Sequence, residues 1–210
     1  IIFSRFNQKI GMIEGDRDDA TGRFLLFTGS PLERIATTAD LDERSLFVPY
    51  QHIKHTRLVS DNNFAIHQSR LKINLAYQNN QRKEYGNPED VTEEELFFDL
   101  KTFNYNIQWQ LPEMKEWHTS FGVNGMNQSN RNKAEEVLIP EYNLFDAGVF
   151  VYAQRFFKKA TLSGGLRYDH RSVDSKAFAD GADVKFTAFK RTFSNISGSI
   201  GISAEHYEKV

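Results

Sequence analysis

Apolar and polar side chains alternate without a break between residues 102 and 111. The apolar positions are Phe103, Tyr105, Ile107, Trp109 and Leu111. The positions between them are uncharged, and they are Thr102, Asn104, Asn106, Gln108 and Gln110. Because successive side chains of a strand point to opposite faces, this period of two predicts a β-strand with one apolar face and one amide-rich face.

Two kinds of protein contain such a strand. In a soluble antiparallel sheet, one face packs against a core and the other meets water. In a membrane β-barrel, the apolar face meets lipid and the polar face lines the lumen. Amides in place of Lys and Glu favour the lumenal face, but a single strand leaves both interpretations open.

The same alternation predicts strands along the whole chain. Period-two runs bounded by turn residues predict nine strands, near residues 2–14, 22–29, 47–60, 63–78, 96–111, 117–129, 142–156, 161–172 and 189–205. Most exceed the five or six residues of an ordinary globular strand, and several reach the length that a tilted strand needs to cross a bilayer. The predicted fold class is therefore all-β and antiparallel.

The gaps between the predicted strands alternate in length. Short gaps fall near 15–21, 61–62, 112–116 and 157–160, and long gaps fall near 30–46, 79–95, 130–141 and 173–188. Asp61, Asn62 and Asn63 have the chemistry of a tight turn, and Pro112 cannot continue a central ladder. Short turns at one rim and long loops at the other are typical of outer-membrane barrels.

The predicted apolar face continues through the other strands without a charged residue. Its members are Leu71, Ile73, Leu75, Tyr77, Phe121, Val123, Phe145, Ala147, Val149, Val151, Leu162, Leu166, Tyr168, Ile196, Ile200, Ile202 and Ala204. The opposite face carries Lys72, Asn74, Asn124, Gln128, Asp146, Gln154, Arg167, Asp169, Arg171, Asn195, Ser197, Ser199 and Ser203. Since charge in lipid is costly, this separation supports an up-and-down transmembrane wall.

Two indoles lie beside one predicted turn. Trp109 precedes the gap at 112–116 and Trp117 follows it. An aromatic girdle at the periplasmic rim explains this placement, and a soluble core is the alternative.

Composition narrows the function further. The 210 residues include 28 acidic and 26 basic side chains, so the net charge of −2 predicts no nucleic-acid partner. Mean hydropathy is −0.55, and no apolar stretch approaches the length of a spanning helix. Eighteen Phe and eight Tyr favour strands, while the lack of cysteine excludes disulfides and thiolate chemistry.

Four segments resemble the barrel of TonB-dependent outer-membrane receptors. They read RLVSDNNF at 57–64, RLKINLAYQNNQR at 70–82, GNPED at 86–90 and TLSGGLRYD at 161–169. Each is short, and their order and spacing carry the likeness, which covers essentially the whole chain.

The resemblance implies a location, partners and a function. Such receptors lie in the outer membrane of Gram-negative bacteria, where a barrel of about 22 strands surrounds a plug domain. They import scarce ligands such as ferric siderophores, haem, cobalamin or glycans with energy passed through TonB. No signal-peptide pattern begins the chain, so we expect residues 1–210 to be part of such a barrel, without the plug and the remaining strands. The expected partners are outer-membrane lipid, the plug domain, the TonB complex and an unidentified small ligand.

Candidate site residues lie on the predicted lumenal face and in the long loops. Asn104, Asn106 and Gln108 supply amides, and Tyr142 follows the long gap at 130–141. The charged candidates share one face at a spacing of two, and they are Arg167, Asp169 and Arg171. We interpret these three as an ion-pair ladder that supports the plug, with direct ligand contact as the alternative. Loops 79–95 and 130–141 are either ligand-contacting or simply solvated.

No motif in the sequence predicts catalysis, a metal or a cofactor. The six histidines lack metal-ligand spacing, and the acidic turn at 16–22 departs from the calcium-loop pattern. Ser120 and His118 share a strand face and are the only nucleophile and base worth testing. We therefore predict a protein that is not an enzyme, with no catalytic, cofactor-binding or metal-binding residues. A soluble or surface β-sheet binding domain is the alternative to a transporter wall.

Overall fold

Eight long antiparallel strands form one continuous sheet in the computed structural model, which describes residues 1–12 and 15–204. In chain order the elements are β1 (Ile2–Gly11), β2 (Leu25–Leu26), β3 (Arg34–Ile35), α1 (Thr38–Asp42), β4 (Tyr50–Ile66), β5 (Ser69–Tyr85), β6 (Leu96–Gln110), β7 (Trp117–Asn132), β8 (Tyr142–Phe156), β9 (Ala160–Ser175), β10 (Phe178–Asp180), β11 (Asp183–Phe186) and β12 (Phe189–Ala204). The large sheet has the order β1-β4-β5-β6-β7-β8-β9-β12, and two small hairpins, β2-β3 and β10-β11, lie in its loops.

Each long strand pairs with the next long strand along the chain. This up-and-down order confirms the predicted antiparallel wall. A soluble sandwich would need two sheets packed face to face. The eight long strands instead lie in one sheet, which is not closed into a barrel.

The pairing register places the predicted apolar residues on one face, which we call the outer face. One row across the sheet consists of Ile73, Ile107, Val123, Val149, Tyr168 and Ile196. Ile73, Ile107 and Val123 are half-buried, whereas Val149 is 53% exposed and Ile196 is 75% exposed. An apolar surface of this extent requires an apolar environment, which lipid provides.

The opposite, inner face carries the predicted polar residues. One row across it consists of Asp61, Asn74, Asn106, Asn124, Gly148, Asp169 and Asn195. The prediction that Asn104, Asn106 and Gln108 oppose the apolar face is confirmed. These residues alternate along β6 with the outer-face residues, and Asn106 pairs with Asn74 and Asn124 in the inner row.

Long and short connections lie at opposite rims of the sheet, as predicted. One long connection joins β1 to β4, the other long connections span residues 86–95, 133–141 and 176–188, and the short ones span 67–68, 111–116 and 157–159. Trp109 and Trp117 flank the connection 111–116, so both indoles lie near the short-turn rim.

The predicted turn at residues 61–62 is wrong. β4 continues through these residues to Ile66, and the chain reverses at 67–68, where His67 has a φ of 54°. The physical reason is cross-strand pairing: Asn74 donates a hydrogen bond of 2.5 Å to Asp61, which holds Asp61 in the ladder. Asx chemistry favoured a turn locally, but the register of the whole hairpin decided the outcome.

The predicted strand at 22–29 is also wrong, which reduces the sheet from nine strands to eight. Leu25 and Leu26 form a two-residue strand that pairs with Ile35 and Arg34, and Phe24 forms an isolated bridge with Arg17; all of these lie in the connection between β1 and β4. That loop also contains α1, whose N-cap Thr37 and Asp40 form a reciprocal capping box. The predicted strand ends at residues 13–14 and 205 lie outside the described residues.

Several loops begin later than predicted because the strands extend beyond the apolar band. β5 runs to Tyr85 and β9 to Ser175, so residues 79–85 and 173–175 belong to strands. A small core forms at this long-loop rim around the fully buried Leu96. Among the described residues, no helix has both the length and the apolar character needed to cross a membrane.

At the long-loop rim, ion pairs join loop residues to the ends of β5 and β6. Lys83 pairs with Glu94 and Lys133 pairs with Asp99, each at 2.5 Å, and both ammonium groups lie over the ring of Phe97. The charged side chains thereby cover an aromatic residue that belongs to the rim core.

Glu141 joins two long loops. Lys176 donates a hydrogen bond of 2.8 Å to its carboxylate, and the backbone N–H of Asn132 donates another of 3.2 Å. Burial by itself raises the pKa of Glu141, but these hydrogen bonds and the charges of Lys176 and Arg131 outweigh it, so the pKa is lowered.

An added charge should destabilise the protein much more on the outer face of the sheet than on the inner face. In the full-length protein that carries this segment, Ile107→Lys should lower the free energy of unfolding by about 2–4 kcal/mol because it places a cation in lipid. Asn106→Lys, one residue away on the inner face, should cost less than about 1 kcal/mol because it loses only a hydrogen bond to Asn74. Urea unfolding in lipid vesicles measures both costs. Equal losses at the two positions would contradict the assignment of the faces.

The lowered pKa of Glu141 predicts a pH-dependent loop contact. A carboxylate whose pKa is lower when folded contributes stability above its unfolded pKa, and this stability is lost as the pH falls through the folded pKa. Glu141→Gln should therefore speed hydrogen exchange of residues 133–141 and 176–188 at pH 7, and the difference from the wild type should disappear in strong acid. Glu135→Gln in the same loop is the control, and an equal effect there would refute the role of Glu141.

Candidate functional site

A groove of about 950 Å³ runs along the inner face. Among the side chains that line it are five of the seven predicted site residues: Asn104, Asn106, Arg167, Asp169 and Arg171. The groove extends from β6 to β9 across β7 and β8, and between these strands it passes over Gly148, which has no side chain. We call this surface the central groove.

Arg167 is held within the central groove by two neighbours. Its Nε donates to both carboxylate oxygens of Asp169 at 2.8 Å, and its Nη2 donates to Asn124 Oδ1 at 2.7 Å. Gly148 lies beneath this group, and a Cβ there would collide with the guanidinium and the Asp169 carboxylate. The ion pair therefore lies in a notch that glycine leaves open.

Arg171 forms a second ion pair, which crosses strands. Its Nε and Nη2 donate to the two carboxylate oxygens of Asp146 on β8 at 2.7 and 2.6 Å. The backbone oxygen of Asp146 also accepts a hydrogen bond of 2.8 Å from the hydroxyl of Tyr105. Two strands are thus tied to Asp146, one through its carboxylate and one through its backbone.

Amides extend this network toward β4. Asn106 donates to Asn74 at 3.2 Å, and Asn74 donates to Asp61 at 2.5 Å. Asn104 lines the same groove one row away. The result is a ladder of hydrogen bonds across β6, β5 and β4 that continues the charged ladder of β8 and β9.

Two predicted site residues lie outside the central groove. Gln108 donates to Ser120 at 3.3 Å and lines a separate groove of about 610 Å³ beside the short turns. Tyr142 lies toward the long loops, where its hydroxyl donates to Gln128 at 2.8 Å. The predicted residues therefore form three levels along the inner face rather than one site.

Arg57, Asp61 and Gly148 line the central groove and were not among the predicted site residues. Asp61 was assigned to a turn, which removed it from the face pattern. Arg57 shares the parity of Val59 and Asp61 on β4, so the alternation could have identified it. Gly148 carries no side chain, and only the register reveals the notch.

The charges of the central groove largely compensate one another. Arg167 faces Asp169 and Arg171 faces Asp146, so their hydrogen-bonding capacity is directed first at the wall itself. This geometry supports the interpretation of an ion-pair ladder. Contact of these groups with a plug or ligand stays a prediction.

The pair considered for catalysis is not joined. Ser120 is buried and accepts its hydrogen bond from Gln108, whereas His118 contacts Glu113 at 3.5 Å. Within residues 1–12 and 15–204, no group of three His, Cys, Asp or Glu side chains is placed to hold a metal ion.

Comparisons with known proteins agree with this architecture. A family model described as "TonB dependent receptor-like, beta-barrel" matches residues 7–207. A search of curated proteins finds no match.

Three solved structures share the fold. The FrpB iron transporter of Neisseria meningitidis is 18% identical with a TM-score of 0.56, and the copper transporter OprC is 13% identical with a TM-score of 0.53. Both comparisons cover 76% of this chain and 28% of the other. The ferric yersiniabactin uptake receptor FyuA of Yersinia pestis is 9% identical with a TM-score of 0.50, over 73% of this chain and 26% of that one. The chain thus spans little more than a quarter of the length of these proteins.

The cross-strand ion pair predicts a measurable coupling. Asp146→Asn and Arg171→Gln, made singly and together in the full-length protein, should give a coupling free energy of about 0.5–1 kcal/mol by urea unfolding, because the pair is bidentate but partly exposed. Glu116 and Arg155, which lie 3.6 Å apart at the short-turn rim, form the control pair and should show almost none. No coupling between Asp146 and Arg171 would contradict a stabilising ladder.

Proposed function

The chain belongs to the TonB-dependent receptor-like β-barrel family, and from this we propose that it forms part of the wall of an outer-membrane active-transport receptor. The whole receptor imports a scarce ligand and takes its energy from TonB. This segment supplies lipid-facing strands, lumenal side chains and long extracellular loops.

The observation that carries the proposal is the separation of the two faces of the sheet. The outer face is apolar in the row through Ile107 and Val149, and the inner face is polar in the row through Asn106 and Asn124. A wall between lipid and a filled lumen needs this separation. Together with the family match, it supports a barrel wall in the outer membrane of a Gram-negative bacterium.

The inner face supports contact with a plug domain. Its central groove presents compensated ion pairs and amides rather than one strongly charged patch. Such a surface can exchange hydrogen bonds with a polar domain that must also move during transport. We propose that Asn104, Asn106, Arg167, Asp169 and Arg171 face the plug, and that Tyr142 and the long loops lie nearer to the incoming ligand.

The ligand class follows from the family rather than from a single side chain. Ferric siderophores, haem, cobalamin and glycans are the proposed candidates. The names of the three structures above specify iron, copper and ferric yersiniabactin, which makes a metal-bearing ligand the first class to test.

Uptake by living cells tests this proposal. The full-length receptor is expressed in a bacterium that lacks other routes for radiolabelled ferric siderophores, haem, cobalamin, glycans and copper. We expect one of these to accumulate, and we expect deletion of TonB to abolish accumulation while surface binding persists. Accumulation that does not depend on TonB, or no binding from the whole panel, would refute the proposed function.

A further inference from the structure

The outer face changes character beyond the apolar band, on the side of the long loops. On β1 the last apolar residue of this face is Phe3 and the next outward residue is Arg5. On β6 the corresponding residues are Phe103 and Lys101. On β4, Leu58 is followed by Thr56 and then Lys54. Cations thus follow the apolar band on three of four adjacent strands.

These three cations belong to one area of the sheet. Arg5 pairs with Thr56, and Thr56 is two residues from Lys54 on the same face. Lys54 and Lys101 lie on strands that flank β5, where Asn79 and Gln81 lie between them. With strands about 4.8 Å apart and a rise of about 3.3 Å per residue, the three Cα atoms lie within roughly 8–15 Å of one another. We call Arg5, Lys54 and Lys101 the outer basic patch.

The charges of the outer basic patch are not neutralised by the chain. Within the described residues, Arg5, Lys54 and Lys101 form no salt bridge or side-chain hydrogen bond. Among the outward positions on the described parts of β1, β4, β5 and β6, Asp99 is the only acidic residue. It is only 3% exposed and is paired with Lys133. The patch therefore presents net positive charge among uncharged amide and hydroxyl groups.

The opposite rim differs. Among the described residues at that rim, Arg155 is the only cation at an outward-facing strand position. It contacts Glu116 at 3.6 Å and lies over the ring of Trp117. Lys115, Lys158 and Lys159 lie in the short turns, beyond the strands. Unpaired cations on the outer face of the strands are thus concentrated at the long-loop rim.

The position of the patch matches the depth of lipid headgroups. Arg5 and Lys101 lie two residues beyond the last apolar side chain, and Lys54 lies four residues beyond it. With strands tilted by about 40°, these spacings correspond to about 5 and 10 Å along the bilayer normal. The headgroup layer occupies roughly 5–7 Å on each side of the hydrocarbon core, and a flexible Lys stem can bring its ammonium group back into it.

We propose that the outer basic patch binds the phosphate groups of outer-leaflet lipid headgroups. The cations supply charge, while Thr56, Asn79 and Gln81 supply neutral hydrogen-bonding groups between them. The acyl chains of the same lipid lie against the apolar band below. The patch thereby fixes the height of this part of the wall in the membrane. The inference rests on the wall assignment of the proposed function, but not on the ligand or on TonB.

Binding of a phosphorylated lipid tests the patch. The full-length receptor is purified in neutral detergent and titrated with diphosphoryl lipid A, and native mass spectrometry measures the bound fraction. Removing one cation, as in Lys101→Gln, should weaken binding about fivefold, and Arg5→Gln, Lys54→Gln and Lys101→Gln together should weaken it at least about tenfold. The matched control combines Lys115→Gln, Lys158→Gln and Lys159→Gln at the opposite rim and should bind like the wild type.

Three results would overturn the proposal: unchanged binding by the triple patch variant, an equal loss in the control, or equal binding of lipid A from which the phosphates have been removed. Heat-modified electrophoretic mobility verifies that each variant is folded. Uptake of the transported ligand by the patch variant should be unchanged. Failure of the lipid titration is therefore distinguishable from failure of the proposed transport, which the TonB deletion tests.

Discussion

The structure depends on one constraint, which is that the two faces of a single-layered sheet meet different surroundings. A continuous register across eight strands keeps Ile107 and Val149 on one face and Asn106 and Asn124 on the other. A slip of one residue between any two strands would reverse this order beyond the slip. Apolar groups would then line the polar groove and charges would meet lipid, so hydrophobic partition specifies the register together with the backbone hydrogen bonds.

The polar side of the sheet is organised by the same register. Asp146 lies opposite Arg171, and Gly148 leaves the space in which Arg167 meets Asp169. Arg167 and Arg171 are each directed toward a carboxylate of the wall, so the central groove is polar without being strongly charged. The outer basic patch is the contrasting case, since its cations lie beyond the apolar band and have no partner in the described chain. These two ion pairs lie where a protein domain is the proposed neighbour, and the unpaired cations of the outer basic patch lie where lipid headgroups are.

Sequence reasoning succeeded where periodicity was long and failed where local chemistry competed with it. The ten alternating residues from 102 to 111 identified both faces of β6, because a period of two leaves no other regular structure. The turn at 61–62 was misplaced because Asp and Asn favour turns, whereas the actual reversal uses His67, which carries no strong turn signal. The notch at Gly148 and the separation of Gln108 and Tyr142 from the central groove depend on pairing between strands, which no single segment encodes. The proposed transport function comes from the family resemblance, because the alternation itself does not contain it.

The most direct measurement of the central claim is the environment of consecutive residues along β8. Single cysteines at positions 144–152 of the full-length receptor, each carrying a spin label, are compared for collision with oxygen in lipid and with a water-soluble nickel complex. We expect oxygen to reach the labels at Phe145, Ala147, Val149 and Val151 and to be depleted at the residues between them, with a strict period of two. Equal oxygen accessibility at odd and even positions would contradict a wall with one face in lipid and the other in the lumen.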